Sequence, residues 1–351
     1  MARNVQVTRG SRRRQAHSIQ HHRKVARRFA GLCALLAVLL AIAVYVLFLR
    51  NHNITLERPY SKTDAVYGIQ KVSLDHRLAP SMASELGVTA QDVPLEGVDL
   101  TSGAAGLFSE ADQQVLYAKN VHQKMYPASI TKIMTALVAL KHGNLDQVIT
   151  VGEECKDIEV GSSVCEIKVG DRLSLRQLLY GLIIHSGNDA AMSIAVSVGG
   201  SVENFVSMMN EEAKEIGATN THFVNPHGLQ DEDHYTTVYD IYLMFHEALK
   251  YEEFQEIIGM ASYYASYPNA SGEETGIMWE STNGYFINEA TPPEKVTVVG
   301  GKTGTTSDAG NCLCLYSKDA YGEPFISIIL KSETKEVLYQ EMNQLLSKIN
   351  K

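Results

Sequence analysis

The segment PASITKIMTALVALKH, Pro127 to His142, sets the organisation of the chain. Ile130, Ile133, Met134, Leu137 and Val138 recur at the three- and four-residue spacing of one helix face, which predicts a buried helix. Pro127 suits its first turn, and Gly143 suits its C-terminal stop. Within it, Ser129 and Lys132 stand three residues apart, so their side chains emerge on neighbouring turns and can meet. A serine hydroxyl is a weak nucleophile until a base takes its proton, and a lysine is such a base only when uncharged. A free lysine, with its pKa near 10.4, is neutral in roughly one molecule in 10³ at pH 7. Lowering that pKa by about three units, ~4 kcal/mol, requires burial and a nearby cation.

Working outward from this helix, AAGLF and QQVLYAK flank the polar turn Ser109-Glu110-Ala111-Asp112, the pattern of a β-hairpin. A helix-rich middle follows. Ser174 can cap LRQLLYGLII, DAAMSIAVSV ends at Gly199, Ser201 can cap VENFVSMMNEEAKEI, and Thr236 precedes TVYDIYLMFHEALK. Strand patterns return at Lys295 to Val299, Asn311 to Ser317 and Pro324 to Leu330, and Ser332 to Lys348 reads as a closing amphipathic helix. Strands at both ends with helices between them predict an α/β (α+β) fold, with one mainly antiparallel sheet flanked by helices and a helical subdomain. No βαβ repetition and no glycine-rich phosphate loop accompanies these elements, which argues against a nucleotide-binding fold.

Two further stretches complete the chemistry. Val298-Val299-Gly300-Gly301-Lys302-Thr303-Gly304-Thr305-Thr306 joins a strand-like start to glycines that permit close backbone approach, and Lys302 supplies the second cation. Ser186-Gly187-Asn188, between two predicted helices, offers a hydroxyl and an amide. S-x-x-K, S-G-N and K-T-G are each weak signals alone; together, in this order and context, they point to one site.

With these motifs the chain resembles the penicillin-recognising serine D,D-peptidases, in particular the low-molecular-mass D-alanyl-D-alanine carboxypeptidases. The likeness covers about residues 100–351. It extends through YPASITKIMTAL, LLYGLIIHSGNDAA, FVNPHGL around Asn225-Pro226, HYTTVYD, Ser281-Thr282-Asn283 and AGNCL. The resemblance implies a β-lactamase/D,D-peptidase-like fold, a peptidoglycan stem peptide ending in acyl-D-Ala-D-Ala as substrate, and β-lactams as acylating inhibitors. It implies acylation of Ser129 with Lys132 taking the proton, Ser186 relaying a proton to the leaving amine, and Asn188 holding Lys132 and the substrate amide. Lys302 and Thr303 would meet the terminal carboxylate on the Lys302-Thr303-Gly304 strand. The N–H groups of Ser129 and Thr305 would face the oxyanion, and neither a metal nor an organic cofactor is required. A class A β-lactamase would add a deacylating glutamate, and no comparable Glu-x-x-Leu-Asn stretch follows Asn188. A D,D-endopeptidase or transpeptidase, or a catalytically silent penicillin-binding sensor, shares the same motifs.

Composition sets the surroundings. The 351 residues are 45% apolar and 20% charged with nine prolines, which excludes a mostly disordered or collagen-like chain. The net charge of −9, from 31 basic and 40 acidic residues, argues against nucleic-acid binding over the chain as a whole. Residues 1–28 carry nine Lys/Arg and no acid, leaving 22 basic against 40 acidic residues, or −18, in the rest. Phe29 to Leu49 is uncharged and free of proline, and 21 residues at about 1.5 Å each match the roughly 30 Å hydrocarbon core. It exceeds a signal-peptide core and lacks a small-x-small cleavage site, so a single-pass anchor is expected, its basic flank cytoplasmic and the rest outside. Residues 50–100 are expected to form a tether and 101–351 the catalytic domain. Related carboxypeptidases often carry a cleaved signal and a β-rich C-terminal domain, which this chain is not expected to share.

Among the cysteines, Cys155 and Cys165 flank a loop short enough for a disulfide, with free thiols as the alternative. Cys312 and Cys314 sit two apart on a predicted strand and suit small buried positions. His185, beside Ser186, is expected to pack locally, and His234 and Asp240 to be structural. His222, His227 and His234 lack metalloprotease spacing. Trp279, Tyr263, Tyr264 and Tyr267 are expected to pack rather than line a groove.

Overall fold

In the computed structural model of the chain, residues 85–350 are described, and they belong to the unit Leu78–Lys351. The expected arm 1–28, the span 29–49 and the tether as far as residue 84 lie outside the described residues. Among the described residues, no helix is long and apolar enough to cross a membrane.

The expected hairpin forms from β1 (Ala104–Ser109) and β2 (Gln114–Lys119), paired antiparallel. A 3₁₀ turn (Ala128–Thr131) leads into α1 (Lys132–His142). Two three-residue strands, β3 (Val148–Thr150) and β4 (Arg172–Ser174), precede α2 (Leu175–Ile184), α3 (Asn188–Gly199), α4 (Val202–Glu215), α5 (Val238–Ala248) and α6 (Glu252–Ile258). A hairpin of β5 (Ser262–Pro268) and β6 (Glu274–Glu280) follows, then β7 (Thr297–Thr306), β8 (Gly310–Lys318), β9 (Pro324–Ser332) and α7 (Lys335–Leu346).

The main sheet has the order β2-β1-β9-β8-β7 and is antiparallel throughout. Its strands come from both ends of the domain, with the helices inserted between them. Side-chain alternation along each strand gives the sheet two apolar faces. On β8, Cys312 and Cys314 join the core shared with the helices, whereas Leu313 and Leu315 join a second core beneath α7. The result is a sheet covered on both sides, with Leu338, Met342 and Leu345 of α7 closing one face. Helix starts follow local chemistry. Ser174 accepts from the Gln177 N–H at 3.1 Å, and Gln177 Oε1 accepts from the Ser174 N–H at 2.9 Å, a reciprocal cap. Ser201 and Thr237 cap α4 and α5 in the one-sided form.

Four expectations change. The tether does not extend to residue 100: Val93 exchanges backbone hydrogen bonds with Ala118 on the β2 edge, and Leu100 is buried under α7. The carboxylate of Glu341 accepts from the Ser102 N–H and from the Thr101 N–H and hydroxyl, which fixes this lead-in. The strand expected at 295–299 instead runs through the whole glycine-rich stretch as the sheet edge β7. Gly300 explains this, because a Cβ there would lie 2.3 Å from the Ile258 carbonyl oxygen. The hairpin β5–β6 was not predicted; only Ala265, Tyr267 and Trp279 of it are buried, so most of its side chains give no hydrophobic alternation. Finally, the helix expected from Pro127 begins with the 3₁₀ turn that carries Ser129.

Candidate active site

Ser129 sits in the 3₁₀ turn and Lys132 at the first position of α1, deep in the core. Lys132 is fully buried, and its Nζ lies 2.8 Å from Ser129 Oγ, 2.6 Å from Asn188 Oδ1 and 2.9 Å from the His227 carbonyl oxygen. A neutral amine has two N–H donors and one lone pair. Asn188 Oδ1 and the His227 carbonyl are pure acceptors and take both donors. The lone pair is then left for the Ser129 hydroxyl. Burial, first, and the neighbouring Lys302 charge, second, push the Lys132 pKa well below that of a free lysine. The amine is therefore held in the form a general base requires.

Ser186 and Asn188 are placed by the bend between α2 and α3. Ser186 adopts a left-handed φ of 61°, unusual for a residue with a side chain, and costs roughly 1–2 kcal/mol of strain. In that conformation its Oγ accepts from Lys302 Nζ at 3.0 Å. Gly187 is required beside it, because a Cβ there would meet Cys165 Sγ at 2.2 Å. With its Oδ1 turned to Lys132, Asn188 presents its amide nitrogen in the opposite direction. Its backbone N–H donates to the Ser163 carbonyl at 2.9 Å, while Asp189 accepts from the Cys165 and Ile167 N–H groups. The 157–167 loop is thereby tied to the start of α3.

Lys302 projects from β7 into the same interior, and burial lowers its pKa to about 7. It also donates to the Thr303 carbonyl at 2.8 Å. Gly304 lets β7 pass close to the nucleophile's turn: a Cβ at this position would lie 2.9 Å from Pro127 O and 3.0 Å from the Ser129 and Ile130 nitrogens. Gly228, with φ +91°, likewise approaches Ala128 and Thr131 from the other side.

Two cavities of about 300 and 310 Å³ flank Ser129 and share it with Ser163 and Thr305. Ser186, Thr303 and Gly304 line the first, and Asn188 lines the second. All eight expected site residues thus converge. Several participants had no recognised signal. Thr282 lies 2.5 Å, oxygen to oxygen, from Thr303 Oγ1, Ser163 lines both cavities, and Lys335 and Tyr339 of α7 border the first. Ser281-Thr282-Asn283 belonged to the family likeness without a role, Ser163 lay in a loop read for its cysteines, and the His227 contact is a backbone carbonyl that any residue could provide.

The other residues singled out in the sequence take local positions. His185 turns to the Glu280 carbonyl, 3.2 Å away, and not to Ser186. His234 accepts the Val224 N–H at Nδ1, so its Nε2–H donates to Thr131; burial lowers its pKa to about 4. Asp240 accepts from the Asn220 N–H and the Thr221 hydroxyl. Trp279 is fully buried and donates to the Cys165 carbonyl, although Tyr264 is exposed. Cys155 and Cys165 are free thiols, and Cys312 and Cys314 are buried, also as free thiols. Among the described residues, no cluster of ligating side chains suits a metal ion.

A serine paired with a buried lysine, a second buried lysine and an edge strand together define the class of penicillin-recognising serine peptidase folds. The sequence profile of the D-alanyl-D-alanine carboxypeptidases matches residues 88–334, and the chain belongs to that family. It is 35% identical over 218 residues to the Bacillus subtilis D-alanyl-D-alanine carboxypeptidase DacF, spanning 61% of this chain and 54% of the relative. It is 31% identical over 271 residues to the Escherichia coli carboxypeptidase DacD, spanning 74% and 66%. The chain therefore spans about half to two thirds of the length of these relatives. The crystal structure of the Streptomyces K15 DD-transpeptidase superimposes with a TM-score of 0.67 at 27% identity, covering 73% of this chain and 98% of that one.

Gly304→Ala is expected to move β7 away from the Ser129 turn. Its acylation rate by benzylpenicillin, followed by intact mass, should fall about 10²-fold while the circular dichroism spectrum is retained.

Proposed function

We propose that the chain is a membrane-anchored serine D,D-carboxypeptidase that removes the terminal D-alanine from peptidoglycan stem peptides and is acylated by β-lactams. The observation that carries this reading is the Lys132 amine, 2.8 Å from Ser129 Oγ with its other two contacts taken by acceptors. Ser129 Oγ attacks the carbonyl of the penultimate D-alanine as its proton passes to Lys132. The N–H groups of Ser129 and Thr305 receive the developing oxyanion, a contribution of a few kcal/mol to the barrier. Collapse breaks the C–N bond, and the departing amine takes a proton delivered from Lys132 through Ser186. Water then attacks the ester as Lys132 takes its proton, and that proton passes to Ser129 Oγ when the ester C–O bond breaks, which restores the hydroxyl and the neutral amine. Lys302, when protonated, and the Thr303 hydroxyl hold the substrate's terminal carboxylate, while the Asn188 amide meets the upstream carbonyl.

Family membership and the match to DacF and DacD support carboxypeptidase chemistry. Hydrolysis of β-lactams is a poorer fit. Glu159 borders the second cavity but is exposed, and no hydrogen bond links it to Ser129 or Lys132. Transfer of the acyl group to an amine is favoured as a second reading by the near-complete coverage of the Streptomyces K15 DD-transpeptidase. The uncharged run 29–49, preceded by the basic arm, supports an anchor with the domain outside the membrane, where the substrate lies.

Incubation with a diacetylated Lys-D-Ala-D-Ala peptide should release D-alanine, and Ser129→Ala should release none. Release by both would remove the serine from the mechanism, release by neither would favour a silent binding protein, and a mixed amide formed with added glycine would identify transfer. The pH dependence has a defined sign. Below the lowered Lys132 pKa the base is protonated, and above about 7 Lys302 loses its charge, so kcat/KM should fall on both sides. A substrate whose terminal carboxylate is amidated should lack the alkaline fall.

A further inference from the structure

A third cavity, of about 340 Å³, lies on the far side of the β7–β8 turn from the Ser129 cleft. Ser307 and Gln230 border the cleft, whereas Asp308 and Glu232, one and two residues further on, border this cavity. Tyr126, also on its wall, is three residues from Ser129, within about 11 Å along the chain. Four charged side chains from four separate segments surround it: Lys124, Glu232, Asp308 and Lys331. Among the described residues, none of the four forms an ion pair. Lys124 is instead parked over the Tyr235 ring, 3.9 Å from its centroid.

Lys331 reaches the cavity through a distortion of the sheet. The β8–β9 register passes from Leu313↔Ile329 to Asn311↔Ser332, so β9 holds one extra residue there. Such a bulge bends the strand and re-aims a side chain. Lys331 takes up the distortion with a φ of 58°, in the left-handed region that a glycine accepts freely and a Cβ resists. The bulge is held on both flanks, by the Gly103 N–H donating to the Lys331 carbonyl and by Asn311 Nδ2 donating to Ser332 O. Backbone geometry alone favours glycine at this position. A lysine stands there instead, lining a cavity that also holds two carboxylates.

We propose that this cavity is a second binding site, for a zwitterionic α-amino acid end. A lone anion there would face Glu232 and Asp308, and a lone cation would face Lys124 and Lys331. A ligand with an ammonium and a carboxylate on one carbon pairs with both signs at once. The volume is at the small end of ligand pockets, which run from about 300 to 1,000 Å³, and suits an amino acid rather than a glycan strand. Two sources supply this chemistry: free D-alanine, the product of the proposed reaction, and an amino-acid end borne on a peptide side chain. The site is inferred from the cavity itself; only the choice of D-alanine as source rests on the proposed reaction.

The test titrates the full chain, with Ser129 acylated by benzylpenicillin to fill the main cleft, by calorimetry. Lys302→Ala protein serves the same purpose whether or not an adduct forms, so failure of acylation counts against the proposed reaction alone. D-alanine and Nε-acetyl-D-lysine, which presents the same end on a longer chain, should bind, and the tighter of the two names the source. N-acetyl-D-alanine and D-alaninamide, each lacking one charge, should bind at least about tenfold more weakly. Lys331→Gly and Glu232→Gln should each weaken binding by a similar factor, and Lys331→Gly should melt no lower than the unsubstituted protein. Absence of binding by both zwitterions, or binding that Lys331→Gly leaves unchanged, would overturn the proposal.

Discussion

The site depends on one constraint, the enclosure of the Lys132 amine in the core with three oxygens around it. Burial makes the charged form expensive, and two fixed acceptors dictate where its N–H groups point. The only direction left for the lone pair is the nucleophile. After proton transfer the same three oxygens accept the three N–H bonds of the ammonium, so neither state requires the surroundings to rearrange. Lys302 contributes to this at a distance. Its own burial leaves it near neutrality, poised to acquire charge when an anion arrives, while its proximity opposes protonation of Lys132.

Much of the fold can be understood as the scaffold for that enclosure. Asn188 arrives from α3, His227 from the loop before α5, and Lys302 from the edge strand. Three places where a side chain would collide allow these segments to converge: Gly187 against Cys165, Gly228 against Ala128, and Gly304 against the Ser129 turn. The sheet can donate Lys302 because β7 is at its edge, and the cleft opens there. The left-handed Ser186 is held in this arrangement by the packed bend between α2 and α3, where Gly187 N–H donates to the Gly181 carbonyl.

The sequence revealed the parts whose signals are local or combinatorial. The apolar spacing of Ile133, Met134 and Leu137 was enough for α1, the polar turn after Ser109 for the first hairpin, and Ser174 and Ser201 for two helix starts. Ser129, Lys132, Ser186, Asn188 and Lys302 were recognisable only as a set, and the structure brings them together. What escaped is non-local. The β7 boundaries depend on the Ile258 carbonyl that Gly300 must pass, and the lead-in at 93–100 depends on an edge of β2 and on Glu341 far down the chain. The His227 carbonyl has no side-chain signature. The β5–β6 hairpin buries three residues on one face and leaves aromatic Tyr264 exposed, so its pattern does not distinguish strand from loop.

The ionisation of Lys132 can be read directly. With lysines labelled at Cε, the carbon resonance of Lys132, assigned through Lys132→Arg, reports the amine's charge as pH is varied. A midpoint well below that of a solvated lysine, with no further change up to about pH 11, is the outcome the enclosed neutral amine predicts. A midpoint near 10.4, that of a solvated lysine, would contradict it and leave Ser129 without its base.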